Sequence, residues 1–305
     1  MMTREGSILE SKQAAARAQQ TVQAHAKINL TLDVTGRRED GYHLVEMVMQ
    51  SVALHDTVTV TVTRGETPAR GIVLTCSRPD LPTDARNLAY RAAALFYEQT
   101  GIDPETCVID IEKRIPVAAG LAGGSTDAAA VLRALNALHQ TALTDDALCA
   151  LGLRLGADVP YCLRGGTMLA EGIGERLSPL PPMPHAWVVL CKPPFAVSTA
   201  EIYRQIDAEE LAHRPDTAGM IAALGQGDLA GVAVRLSNVM EQVTARQHSE
   251  IGEICACLRE NGAAGARMSG SGPTVYGLFA DERRAAAAAE LLRRRFADTF
   301  LTETV

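Results

Sequence analysis

The chain lacks any apolar run near the roughly 20 residues that a helix needs to cross a bilayer, so no membrane-spanning helix is expected. It also lacks a C-x-x-C pair, and among its seven cysteines only Cys255 and Cys257 stand close together. An odd, scattered set of thiols reads as a reduced interior and a cytoplasmic setting rather than a disulfide framework. No H-E-x-x-H run occurs and no histidine stands at zinc spacing from a cysteine, which argues against a zinc site. Positive charge is short as well, with 29 basic against 36 acidic residues giving −7, and no stripe of basic and aromatic side chains compensates. Such a surface repels phosphate, so nucleic acid is not an expected partner and any nucleotide must be held by local groups. The first twenty residues mix Arg4, Lys12 and Arg17 with Glu5 and Glu10 and have no hydrophobic segment. They match no secretory signal and match a transit peptide poorly. Residues 1–21 are expected to be an extension, frayed or helical, before the first strand.

What is present is ordinary for a soluble protein: 305 residues, 47% apolar and 21% charged, enough for two domains or one large one. From Val22 to about Val62 the pattern is strand-like and closes with Val58, Val60 and Val62 alternating with threonines, as in a half-buried antiparallel strand. Asp40-Gly41 marks a turn between two such runs. Helical spacing follows at 87–100 with Gly101 as its cap, a strand at 107–111, helices at 125–139 and 145–155, and strands near 167–171 and 186–191. The second half reads as helices at 199–207, 217–224, 228–244 and 249–261, a strand at 274–280 and a helix at 282–297. Strand runs and helix runs are segregated, which favours an α+β class over a doubly wound sheet. The proline cluster at 179–184 is the best boundary.

Two glycine-rich segments carry the chemistry. Pro116-Val117-Ala118-Ala119-Gly120-Leu121-Ala122-Gly123-Gly124-Ser125-Thr126-Asp127 follows a strand and opens an alanine-rich helix, with Ser125 expected at or near the N-cap. Small residues leave backbone N–H groups accessible beside the positive end of a helix, an arrangement that binds phosphate, although a tight strand-to-helix turn uses the same residues. No Lys follows the glycines, so this is not a Walker loop. Arg267-Met268-Ser269-Gly270-Ser271-Gly272-Pro273-Thr274 offers a second set of amides and hydroxyls before a β-rich run, or a hairpin-like turn.

Together with Ala26-Lys27-Ile28-Asn29-Leu30, these two loops resemble, in order and spacing, the three motifs of the GHMP kinases, the superfamily of galactokinase, homoserine kinase and mevalonate kinase. The resemblance covers about residues 22 to 300. Thr35-Gly36-Arg37-Arg38-Glu39-Asp40-Gly41-Tyr42-His43 and Leu155-Gly156-Ala157-Asp158-Val159-Pro160 narrow it to the branch acting on a cytidine-diphosphate-linked methylerythritol. That implies ATP-dependent phosphorylation of the acceptor's 2-hydroxyl in the non-mevalonate route to isoprenoid precursors, with Mg²⁺, by a monomer or homodimer. It also implies a two-lobed fold: a ribosomal-protein-S5-like β/α lobe over 22–180, a ferredoxin-like α/β lobe over 181–305, and the active site in the cleft between them.

Carried over residue by residue, the resemblance makes Asp158 the catalytic carboxylate that takes the acceptor's proton and Lys27 the cation that stabilises the acceptor oxygen. ATP falls to Pro116, Ala118, Ala119, Gly120, Leu121, Ala122, Gly123, Gly124, Ser125, Thr126 and Asp127. Lys113 lies either by the adenine or as an exposed charge at a strand end. The acceptor falls to Asn29, Tyr42, His43, Thr199, Tyr203, Ser271 and Gly272, with Tyr42 and His43 forming the cytosine-binding edge. Tyr203 is the second stacking ring and Phe195 its rival. The family often reads Gly-Leu-Gly-Gly-Gly-Ser-Ser where this chain has Ala122 and Thr126, so Ala122 is expected at negative φ. No metal ligand is assigned, Ser125 and Asp127 being the nearest candidates through Mg²⁺. Other GHMP kinases, acting on homoserine or a sugar, are the main rivals, and a silent binding protein that kept the fold is the second.

Overall fold

A computed structural model of the chain describes residues 16–64, 71–103, 106–208 and 213–305. It opens with β1 (Ala16–Arg37), β2 (His43–Arg64) and β3 (Gly71–Cys76), then α1 (Leu88–Thr100), β4 (Thr106–Glu112), α2 (Gly123–His139), α3 (Asp145–Leu153) and α4 (Val159–Arg164). Next come β5 (Thr167–Gly172), β6 (Arg176–Pro179), β7 (Trp187–Cys191), α5 (Thr199–Ala208), α6 (Thr217–Gly225), α7 (Leu229–Val234), β8 (Ser237–Asn238) and α8 (Val239–Gln247). α9 (Ser249–Glu260), β9 (Gly265–Met268), β10 (Val275–Phe279), α10 (Glu282–Arg293) and β11 (Thr299–Glu303) complete it.

The valine–threonine alternation does what period two requires. Val58, Val60 and Val62 are buried against α1 and α2, among Phe96, Leu132 and Leu135, while Thr57, Thr59 and Thr63 stay half-buried on the other face. β2 pairs along its length with β1 and, on its other edge, first with β5 and then with β4, in a seven-stranded sheet ordered β3-β4-β2-β1-β8. The second sheet, β11-β7-β10-β9, is wholly antiparallel, with one face covered by α9 and α10 through Ile254, Leu258, Ala288 and Leu292. Between the two sheets, Ile28, Leu30 and Val48 pack against Val188, Leu190 and Leu278. The Tyr276 hydroxyl donates to the Asn29 carbonyl at 2.8 Å, so β10 is fastened to the strand that carries Lys27. Among the described residues no helix is long and apolar enough to cross a membrane. The architecture is the expected two-lobed α+β fold.

Several expectations differ in detail. β1 begins at Ala16, six residues before the expected strand, so residues 16–21 of the expected extension are strand and residues 1–15 lie outside the described residues. The helix expected over 228–244 is broken into α7, β8 and α8. At the break, the Asn238 side chain accepts from Met240 N at 2.9 Å and donates to the Met268 and Gly270 carbonyls at 2.8 Å each. An amide that offers the backbone these partners competes with the helical ladder. β8 then pairs in parallel with Thr31 and Leu32 of β1.

Candidate active site

β4 delivers the chain into the first glycine-rich loop, and Asp56 holds the junction from inside. Its side chain is fully buried: one carboxylate oxygen accepts from the backbone N–H groups of Arg114 and Ile115, and the other accepts from Lys113 Nζ. Lys113 Nζ also donates to Asp127 Oδ2 at 2.7 Å, on the first turns of α2. One ammonium thus serves two carboxylates. Burial pushes the Asp127 carboxyl up to about 7, and the neighbouring Asp56 charge adds to the shift. Burial works against the Lys113 cation too, but the two carboxylates outweigh it and hold its pKa above the ordinary value. Lys113 lines the cleft, and of its two readings the exposed strand-end charge does not describe a side chain 5% exposed and paired twice.

The loop reaches α2 through two alanines at positive φ, Ala118 at 50° and Ala122 at 59°. The expected negative φ at Ala122 is therefore corrected: Ala122 takes the N-cap position in the left-handed region, and Ser125 is the third residue of the helix rather than its cap. Left-handed backbone costs an alanine about 1–2 kcal/mol, and the packing around the loop holds it there. At Gly120 (φ +72°) only glycine fits, since an added Cβ would stand 2.2 Å from the Ser269 carbonyl oxygen of the second glycine-rich loop. Ser269 Oγ donates to the Gly120 carbonyl at 3.0 Å, so the two loops meet here.

Together the loops wall a cleft of about 640 Å³. Lys27 and Asp158 both face it. Lys27 is buried in the interior of the sheet, with its backbone N–H on the Leu121 carbonyl at 3.2 Å and Nζ donating to Asn29 Oδ1 at 2.7 Å. Two more protons on Nζ are left for other acceptors. Asp158 sits at the N-cap position of α4 but makes no capping hydrogen bond, and among the described residues its carboxylate has no ion-pair or hydrogen-bond partner. Both charges act on the buried Cys162 thiol, which burial pushes well above its ordinary pKa. Thr199 and Ser271 also line the cleft, with their hydroxyls 2.8 Å apart.

Most of the expected ATP residues line the cleft: Lys113, Pro116, Ala118, Ala119, Gly120 and the segment Ala122 to Ser125, with Asp127. Leu121 and Thr126 do not. Leu121 is 1% exposed and packs between the sheets, and the buried Thr126 hydroxyl donates to the Gly123 carbonyl at 2.9 Å. Asn29, Gly272 and Tyr203 line the cleft too. Tyr42, 61% exposed, and His43 both stand outside the lining. His43 stacks on Tyr203 with centroids 4.2 Å apart and planes 10° from parallel, whereas Phe195 stacks on His248. Sequence reasoning missed Leu81, Pro82, Arg86, Asn87 and Leu88, which form a further wall. The Asn87-Leu88 start of α1 was the available signal, because Asn87 caps the helix through Ala89 N.

Two family models match the chain, GHMP kinases N terminal domain over residues 87–166 and GHMP kinases C terminal over 220–298. A curated 4-diphosphocytidyl-2-C-methyl-D-erythritol kinase from Clostridium botulinum (strain Eklund 17B / Type B) is 45% identical over 284 residues, covering 93% of this chain and 99% of the relative. A crystal structure of 4-(cytidine 5'-diphospho)-2C-methyl-D-erythritol kinase superposes with a TM-score of 0.78 at 36% identity, over 93% of this chain and 99% of that one. A homoserine kinase from Cytophaga hutchinsonii, at 17% identity and a TM-score of 0.72 over 98% of this chain and 97% of that one, shares the fold.

Proposed function

Because the chain belongs to the GHMP kinases, in their 4-diphosphocytidyl-2-C-methyl-D-erythritol kinase family, and is a small-molecule kinase, we propose that it transfers the γ-phosphoryl group of ATP to the 2-hydroxyl of 4-diphosphocytidyl-2-C-methyl-D-erythritol. The observation that carries this reading is the pairing, in one cleft between two glycine-rich loops, of a buried lysine with a carboxylate that has no internal partner. In the transfer, the acceptor oxygen forms a bond to the γ-phosphorus as the bond to the β–γ bridging oxygen breaks. Asp158 orients the hydroxyl and accepts its proton, while Lys27, held in place by Asn29, faces the negative charge that gathers on the transferred group.

The backbone N–H groups of the loop from Gly120 to Ser125 cradle the phosphates at the start of α2, which answers the −7 charge without a basic surface. The wall of Leu81, Pro82 and Leu88 suits the adenine. Among the described residues no group of three His, Cys, Asp or Glu stands together as a metal site, and Asp127 and Ser125 are the residues that would hold Mg²⁺ beside the phosphates. The residues fit it there, because Asp127 Oδ1 is buried without a partner in a carboxyl that lines the cleft, with Ser125 beside it. When bound, the ion would neutralise part of the phosphate charge. Tyr42, His43 and Tyr203 form the cytosine end and Thr199, Ser271, Gly272 and Asn29 the diphosphate and polyol end. The lobes divide at 180/181, and the seven free thiols suit a cytoplasmic protein, monomeric or homodimeric. A coupled ADP-release assay across acceptors tests the reading: turnover is expected with the cytidylyl compound and not with homoserine, mevalonate or methylerythritol lacking the cytidine.

A further inference from the structure

Asp207, on the last turns of α5, does nothing in the transfer step, yet it reaches back to the β1–β2 hairpin. Its Oδ1 lies 2.8 Å from His43 Nε2 and its Oδ2 accepts from Arg37 Nη1 at 3.2 Å. Arg37 and His43 are the last paired rung of the β1–β2 ladder, closed by the Asp40-Gly41 turn. The His43 side chain is 10% exposed and lies flat on Tyr203. One carboxylate therefore ties the helix bearing Tyr203 to the strand bearing His43.

The chemistry of that contact is directional. A carboxylate oxygen only accepts, so the hydrogen bond requires the proton on His43 Nε2, and the neutral ring then presents Nδ1 as a lone pair. Among the described residues Nδ1 has no hydrogen-bond partner. A base that bonds edge-on to Nδ1 lies close to the plane of the imidazole, which is 10° from parallel to Tyr203. The pairing edge of cytosine presents a 4-amino donor, whereas uracil presents a carbonyl acceptor at the same place. An Nδ1 lone pair accepts from the first and repels the second.

We propose that Asp207 is a positioning residue for base selectivity: it fixes the Nε2–H tautomer of His43, which stacks on the cleft residue Tyr203, so that the acceptor site takes cytidylyl and rejects uridylyl acceptors. The inference rests on the cytidylyl reading of the acceptor site and deepens it. Without Asp207 the ring is free to place its proton on Nδ1, where it donates to uracil. Arg37 serves the same end by holding the second carboxylate oxygen.

The test compares the full-length enzyme with Asp207→Ala, using cytidylyl and uridylyl forms of the same acceptor. The expected result is a KM for the cytidylyl acceptor raised about tenfold, with kcat and the KM for ATP nearly unchanged, and a cytidylyl-to-uridylyl ratio of kcat/KM lowered about tenfold. In parallel, ¹⁵N-histidine spectra, assigned with His43→Gln, should show the Nε2–H tautomer in the wild type and a tautomer mixture in Asp207→Ala. A selectivity ratio that does not move, or a wild-type His43 carrying its proton on Nδ1, overturns the proposal. If the wild type shows no turnover with the cytidylyl acceptor, the substrate reading fails instead, and the tautomer spectra still decide whether Asp207 sets the ring.

Discussion

On the proposed reading, Asp158 and Lys27 divide the work of the transfer step by their surroundings. The lysine is buried and held by one bond to Asn29, while the carboxylate is half-buried and left without an internal partner. Asp158→Asn keeps the shape and removes the proton acceptor. It should lower kcat by orders of magnitude with ATP affinity nearly unchanged, as read from steady-state kinetics and nucleotide titration; near-normal turnover would take the residue out of the reaction. Both assignments came from the resemblance of their runs, Ala26-Lys27-Ile28-Asn29 and Gly156-Ala157-Asp158-Val159-Pro160, to the family's motifs; taken alone, Asp158 reads as a helix N-cap and Lys27 as a solvated charge on an edge strand. Asp56 was not. It stands 57 residues before Lys113 and owes its role to the pairing of β2 with β4, which no spacing announces. The contact of Asp207 with His43 was hidden for the same reason, across 164 residues.

In the glycine-rich loop, two neighbouring small residues are predicted to respond oppositely to a single methyl group. Gly120→Ala puts a Cβ 2.2 Å from a backbone carbonyl of the facing loop and forces positive φ on an alanine. The cost is about 2 kcal/mol or more, with a lower Tm and a raised KM for ATP as the loops part. Ala122→Gly relieves left-handed strain at φ 59° while adding about 0.5–1 kcal/mol of chain freedom to lose, so Tm should shift little and the KM for ATP should hold. If Ala122→Gly weakens ATP binding as much as Gly120→Ala, the account of the loop is wrong. Among the elements, those with strong local periodicity were readable: α1 with its Gly101 cap, and the alternating half of β2. Short elements made by distant partners were not. β3, β9 and β11 are four to six residues each and exist through their ladders with β4, β10 and β7. The apolar residues of 228–244 run on as one helix in the sequence, and only the tertiary bonds of Asn238 break it.

Across the whole molecule, the two sheets are joined at the strand that bears Lys27. Beyond Tyr276, the end of β11 crosses to β2: Leu54 N donates to Thr302 Oγ1 at 2.7 Å, Thr304 bridges Val52, and Val305 N donates to the Ser51 carbonyl at 3.1 Å. Ser51 is the register partner of Lys27. Thr302→Val leaves a backbone donor short of its partner and should cost about 1–3 kcal/mol in denaturant unfolding; an unchanged midpoint would mean that this seam contributes little. The same seam carries a pH dependence. His25, whose Nδ1 is 3.2 Å from the Val52 carbonyl, has its pKa lowered below 6.5, first by burial and then by the nearby His55. The fold therefore favours the neutral ring, so its contribution is complete above pH 6.5 and is lost as the pH falls through the lowered folded value. His25→Gln should flatten the acid limb of Tm against pH, and an identical limb would assign the acid sensitivity elsewhere. The central claim is that the cleft between the loops phosphorylates a cytidylyl polyol. The most direct measurement is ADP release from ATP with purified protein and 4-diphosphocytidyl-2-C-methyl-D-erythritol. The account predicts saturable release that disappears when the cytidylyl group is removed from the acceptor. No release with that acceptor, under conditions where homoserine or mevalonate is turned over, would contradict it.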